Sequence, residues 1–542
     1  MSEHRNTEQP AQAFIAPHPG SASMPRWDAG ELPPPPKLTL RSWALLLGPG
    51  LVMGGAAIGG GEWITGPLTT ARYGGAILWL ATLSILAQVL YNLEISRYTL
   101  YCGEPIFTGK FRLLPGPMFW LVLYLFLDFG SVFPYLVANA ATPLAAVILG
   151  EIPDIHKTYA LWGQSIEGST FLLLLKYVVF LMVLVPLIVG GKVYSSLKAI
   201  MSFKIVVVLG FLMLVAVLYS TPRTWADILS GFFKFGSLPV VGTDPAAPPP
   251  IDNVFVAWWQ GRTLPEFDLS MIAVLGALAA ISGCGGLTNT TISGYTRDQG
   301  WGMGSQVGAI PSVVGGRKLK LSHVGMVFDV TKESLARFRG WFRFVCRDQL
   351  VVWMPACFVG IALPSMLSVQ FLPRGTQAND WAAAAMTADG LRAAVGPTFG
   401  QYFWLMTLFC GFLVLAPSAA TTTDGALRRW VDLCWTAIPR MRRADPHQIR
   451  ILYFAAVCMF ASFGMVSMYL WNSLELLKWA GNIYNFALGF SCFHVLAVNT
   501  ILLPREIRPN WFIRIGLVLG GVFFLAVASI TTHSMLKQYE WI

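Results

Sequence analysis

Charge is scarce in this chain. Asp, Glu, Lys and Arg make up 12% of its 542 residues and 55% are hydrophobic, whereas soluble domains carry roughly a quarter charged residues. That balance excludes a water-soluble globule and points to a bilayer. Histidine is equally thin, at seven residues, with no His-rich tract and no Ser-His-Asp grouping, so a membrane-embedded enzyme is not expected. Of the eight cysteines, Cys284, Cys346, Cys357, Cys410, Cys434, Cys458 and Cys492 fall inside apolar stretches and Cys102 lies at the end of one. Neither a disulfide framework nor paired zinc spacing results; they read as small apolar fillers, and no cofactor is implied. The net charge of +10 is carried by loops between apolar stretches. It marks topology, not a phosphate-binding face, and no nucleic-acid partner is expected.

What is abundant is apolar sequence in long runs. About eleven stretches are long enough to cross the hydrocarbon: 43–73, 75–101, 117–149, 170–190, 198–219, 268–296, 341–368, 399–430, 449–471, 475–503 and 511–536. Lys and Arg concentrate in one set of loops, notably "GGRKLKLSHVG" and "RRWVDLCWTAIPRMRR", which places the N-terminus in the cytoplasm and the C-terminus outside. The expected location is a cell membrane, taken as the bacterial cytoplasmic membrane, with lipid as a partner. Residues 1–40, ending in "ELPPPPK", read as a disordered tail. Residues 41–220 form a first five-helix unit and 221–267 an irregular outer loop. Residues 268–505 form a second unit and 506–542 an eleventh helix with the C-terminus.

Two of these stretches carry interruptions. The first reads "GLVMGGAAIGGGEWITGPLTT", with Gly59, Gly60 and Gly61 ahead of Glu62. The sixth reads "LGALAAISGCGGLTNTTISGYTRD", where Gly283, Cys284, Gly285 and Gly286 precede Thr288, Asn289 and Thr290. Breaks in spans one and six match corresponding positions of two five-helix halves in an inverted repeat. Discontinuous helices so placed point to a midplane binding site in a secondary transporter. Irregular backbone survives at that depth only where it lines a cavity or is buried in protein. Glycines 59–61 read as unwound backbone, whereas Gly54 and Gly55 read as close-packing points.

Glu62 is the central candidate, as counter-charge and as metal ligand, because a carboxylate at a membrane helix break is expensive unless it functions or is paired. Its bland alternative is a cap on the outer half-helix, where negative charge is favoured. Asp128, in "LFLDFGSVFPYLV", is a mid-span acid and a candidate for proton or ion coupling, or else a structural partner for a buried donor. Thr288 and Asn289 offer oxygens to a cation or to neighbouring helices. Asn482 and Asn485, in "WAGNIYNFALG", could reach the site from the tenth span. His494 reads as a hydrogen-bonded structural histidine, and Glu94 with Arg97 as a gating or anchoring pair.

"GPG" at Gly48 to Gly50, the four-residue break after it, "TTISGYTRDQGWGMG" and Arg97 resemble the NRAMP family of proton-coupled divalent metal transporters over roughly residues 40–505. The resemblance implies an all-α integral membrane protein with a LeuT-type 5+5 inverted repeat, about eleven helices, and helices one and six broken. It also implies an acid in a proton path at Asp128 and a site residue from helix ten near Asn482 or Asn485. The family's Asp-Pro-Gly-Asn break falls on Gly59, Gly60, Gly61 and Glu62, and its Met-Pro-His break on Gly283, Cys284 and Gly285. The usual metal-ligand motifs are therefore absent. One carboxylate among carbonyls and hydroxyls is a hard-cation environment, so the expected cargo is a divalent ion of the Mg²⁺ kind, partly hydrated, in a site widened by glycine. A small organic cation or amine, or a transport-dead sensor or scaffold, remains open. Proton or sodium is the expected coupling ion.

Overall fold

The computed structural model describes residues 14–37, 59–161, 163–189, 192–242, 244, 247–307, 324–377, 379–443 and 446–540. Gly54 and Gly55, the start of the first span and most of the basic loop around 315–325 lie outside them.

Each expected span corresponds to helix. The first contains a π-helical turn, Gly61–Thr65, running into Gly66–Tyr73. The second is Trp79–Cys102 and the third is Pro117–Leu127 followed by Tyr135–Leu149. Spans four and five are Gly168–Val189 and Lys192–Tyr219. Span six is split into Ile272–Ile281 and Thr291–Asp298. Span seven runs Lys332–Arg347, a π turn Asp348–Trp353, and Met354–Phe371. The last four are Gly400–Ala437, Pro446–Leu470, Ser473–Ile501 and Trp511–Gln538. Among the described residues nine helices are long and apolar enough to cross a membrane.

The helix ends follow local chemistry. Gly103 and Gly150 take the left-handed conformation that closes spans two and three, which glycine adopts without Cβ strain. Thr331 and Ser334 form a reciprocal capping box at the head of span seven, and Asn472 and Asn510 cap spans ten and eleven, each accepting an otherwise orphaned N–H. Spans four and eleven leave Leu174, Val178, Leu181, Val185, Leu519 and Val522 exposed. An apolar exterior of that kind suits lipid and not water. Spans one, six and ten are enclosed by the rest: span ten packs on both halves of the sixth span and on span eleven.

Two expectations about the periphery fail. Residues 14–37 are not a loose tail. Asp28–Ala29 pairs as a parallel strand with Met326–Val327, and Met24, Trp27 and Leu32 are buried. Arg112 donates to the Pro25 carbonyl, and Trp341 to that of Pro33. Proline-rich chain lacks donors of its own but offers carbonyls, which Arg and Trp side chains of the bundle satisfy. The outer loop is likewise built: a helix Pro222–Gly231, a hairpin pairing Ser237–Pro239 with Ile251–Asn253, and a turn of helix Val254–Trp259. It is tied to the second span through Thr82 Oγ1 to the Phe232 carbonyl and Trp79 Nε1 to that of Ser237.

Candidate functional site

Gly59 is a bend and the chain is helical from Gly60 onward, with Gly60 at φ −66° and ψ −32°. The expected unwinding of Gly60 and Gly61 is thus corrected: irregularity there takes the form of a π turn, which often marks functional sites. Both are glycine for want of space. A Cβ on Gly60 would come within 2.8 Å of the Tyr135 ring, and one on Gly61 within 2.9 Å of the Ile281 carbonyl. Glu62, within that π turn, is 1% exposed. Its Oε2 accepts the Gly59 N–H at 2.9 Å, and its Oε1 accepts the Gly283 N–H at 3.3 Å. One carboxylate therefore caps its own helix and binds the break in the sixth. The capping and site readings of Glu62 coexist.

The sixth span stops at Ile281, and Gly283 and Gly286 then take φ +108° and +59°, open only to glycine without strain. A short 3₁₀ stretch, Gly286–Thr290, restarts the helix. Gln88 of the second span organises this turn. Its Nε2 donates to the Ser282 carbonyl at 2.8 Å, and its Oε1 accepts the Cys284 N–H at 3.1 Å and Asn289 Nδ2 at 2.9 Å. Buried backbone freed from a helix needs such partners. Asn289 is fully buried, and its Oδ1 has no hydrogen-bond donor among the described residues. Thr288 is half-buried at the rim.

The space that glycine was expected to leave is taken by rings. A Cβ on Gly283 would meet Trp353 at 3.1 Å, and one on Gly285 or Gly286 would meet Tyr484 at 2.9 or 2.4 Å. Trp353 ends the π turn of span seven and is fully buried. The widened cavity of the sequence reading is therefore corrected: small residues here admit aromatic walls.

Other candidates sit elsewhere. Asp128 lies where the third span is itself interrupted, between Leu127 and Tyr135, with a 3₁₀ turn Phe129–Val132. It forms a two-pronged ion pair with Arg429 of span eight, Nε to Oδ2 and Nη2 to Oδ1, both at 2.7 Å. Ser131 Oγ and Trp430 Nε1 also donate to it. A lone titrating acid is not what the geometry displays; the structural alternative fits. Asn482 faces span eleven, donating to Thr532 Oγ1 at 2.8 Å, and Asn485 donates to the Gly276 carbonyl, well before the break. The tenth span instead delivers Tyr484. Glu94 holds Arg97 Nε at 2.8 Å and accepts from Asn499, an anchoring pair. His494 Nδ1 and the Tyr124 hydroxyl lie 2.7 Å apart.

No protein-family model matches the sequence, and no curated protein does. Solved structures do. A mutant form of the manganese transporter of Eremococcus coleocola superposes with a TM-score of 0.58 at 14% identity, covering 95% of this chain and 91% of that one. The same transporter bound to an aromatic bis-isothiourea compound gives a TM-score of 0.55 over the same shares at 14% identity. The chain has the fold of that transporter. It is an all-α integral membrane protein of LeuT type, with its first and sixth helices interrupted. Likeness at this identity fixes architecture; the side chains at the breaks are this chain's own.

Sequence reasoning overlooked three of those side chains. Gln88 and Tyr484 sit in helices of ordinary apolar pattern, and only their partners across the bundle reveal them. Lys204 had a visible signal: it is a lone charge in "FKIVVVLGFLMLVAVLY". The structure buries it completely in span five, with its Nζ donating to Ser418 Oγ of span eight at 2.8 Å.

Proposed function

We propose that this protein is a secondary transporter that moves a cation by alternating access, with Glu62 as the charge that meets the cargo. The observation that carries the proposal is the placement of Glu62: fully enclosed, and hydrogen-bonded to both interrupted helices at once. A rocking motion that alters the relation of spans one and six has to reorganise that carboxylate. The unpartnered Asn289 Oδ1 supplies a second oxygen beside it.

The walls favour a small organic cation over the divalent ion. Among the described residues no group of three His, Cys, Asp or Glu side chains is placed to hold a metal. A hydrated Mg²⁺ keeps several waters, and the space beside Gly283 and Gly286 is filled by Trp353 and Tyr484. Aromatic faces attract ammonium groups, and a carboxylate completes such a site. A titration of the purified protein with tetramethylammonium, methylammonium, Mg²⁺, Ca²⁺ and Mn²⁺, followed by uptake into proteoliposomes, tests this. Ammonium binding that vanishes in Glu62→Gln, in a variant that still purifies as a folded monodisperse protein, is the expected outcome. Micromolar Mn²⁺ binding by the unmodified chain, or ammonium uptake at wild-type rate in Glu62→Gln, would overturn it.

A further inference from the structure

Span five packs against spans seven and eight, and both of these pack against the π turn that carries Glu62. Lys204 is the buried charge on span five, anchored to Ser418 of span eight. Glu62 is the charged group that acts on Lys204, and Lys204 the one that acts on Glu62. The other titratable groups within electrostatic reach of Glu62 are the Cys284 thiol of span six, the Cys357 thiol of span seven and the Tyr135 hydroxyl of span three. None of these carries charge in its protonated form. A carboxylate and an ammonium at membrane depth are each costly alone, and removing one partner of a buried pair strands the other.

We propose that Lys204 is a tethered counter-cation for Glu62, standing in for the cargo, and that cargo binding requires it to lose its proton. The ammonium becomes an amine, the proton leaves to water on the side then open, and a monovalent cation takes over the charge of Glu62. The net charge of the site is unchanged, so one cation moves against one proton. The identity of the cargo rests on the transport reading above; the pairing of Lys204 with Glu62 does not.

Two measurements on the full chain decide it. In thermal melting of purified protein, Lys204→Met and Glu62→Gln should each lower the midpoint, and the double variant should recover most of the loss. Additive losses would refute the pair. In binding of tetramethylammonium between pH 6 and 9, wild-type affinity should rise about tenfold per pH unit while Lys204 carries its proton, the slope for one proton released per cation. Lys204→Met should bind without that slope. Lys204→Arg keeps the charge but cannot surrender it, and should melt like wild type yet bind no probe at any pH. A slope that persists in Lys204→Met belongs to another group and overturns the coupling. Absence of binding in the wild type sinks the transport reading and the coupling with it, while the melting cycle still decides the pair.

Discussion

Asp128 and Glu62 are both enclosed acids at irregular points of membrane helices, yet they are held in opposite ways. Asp128 receives two guanidinium nitrogens, an indole N–H and a hydroxyl. Glu62 receives two backbone N–H groups, one at 2.9 Å and one at 3.3 Å, with its nearest formal cation on a different helix. The first arrangement saturates the carboxylate with charge-assisted bonds and fixes it. The second leaves the negative charge unneutralised by contact, and so available. Burial alone therefore does not identify a working acid; the kind of donor does.

The largest effect should come from breaking the saturated pair. Arg429→Ala leaves Asp128 buried without its cation, at a cost of about 3–5 kcal/mol, and should yield little folded protein by size-exclusion chromatography. Removing both, Asp128→Ala with Arg429→Ala, should recover folded protein. If Arg429→Ala instead melts like wild type but abolishes uptake, Asp128 is a coupling acid after all and the contrast with Glu62 collapses.

A smaller effect tests why glycine lines the break. Gly286→Ala places a Cβ 2.4 Å from the Tyr484 ring at φ +59°, combining backbone strain with overlap, and should destabilise by roughly 1–3 kcal/mol. Gly294→Ala, eight residues on in the same span with open space around it, should be neutral or slightly stabilising, as an ordinary helix position would be. Denaturation midpoints of the two variants compare them directly. Equal losses would mean that the aromatic wall yields readily and that the site is wider than its packing.

How much of this was legible in advance divides along physical lines. Helix number, the break at Gly283–Gly286 and the depth of Glu62 follow from local rules, because hydrocarbon thickness and helix propensity act on contiguous residues. The interruption of span three was also written locally, in Gly130 and Pro134 either side of "SVF", but the apolar run around it masked the signal. Contacts across the bundle were not legible. Nothing in "LSILAQVLYNL" announces that Gln88 will clamp residues 282–289, and helical phase at Asn482, Tyr484 and Asn485 cannot be settled without knowing which neighbour each face meets. The width of the site failed for the same reason: glycine removes a side chain, and only the three-dimensional packing says what moves in.

The smallest effect separates the two asparagines that looked alike in sequence. Asn482 turns to span eleven, where its amide donates to Thr532, whereas Asn289 sits in the break with Gln88 on its amide and its carbonyl oxygen unsatisfied among the described residues. Asn482→Ala removes one interhelical hydrogen bond and should cost about 0.5–1.5 kcal/mol, or less within a bilayer, with cation affinity unchanged. Asn289→Ala should weaken tetramethylammonium binding, because it deletes an oxygen beside Glu62 and frees Gln88 from one of its partners. Paired binding isotherms and melting curves separate the outcomes: a loss of affinity in Asn482→Ala matching that in Asn289→Ala would put the tenth span's asparagine back in the site. The helical face presented by Tyr484 would then have to rotate toward span eleven, an arrangement incompatible with its ring against Gly285 and Gly286.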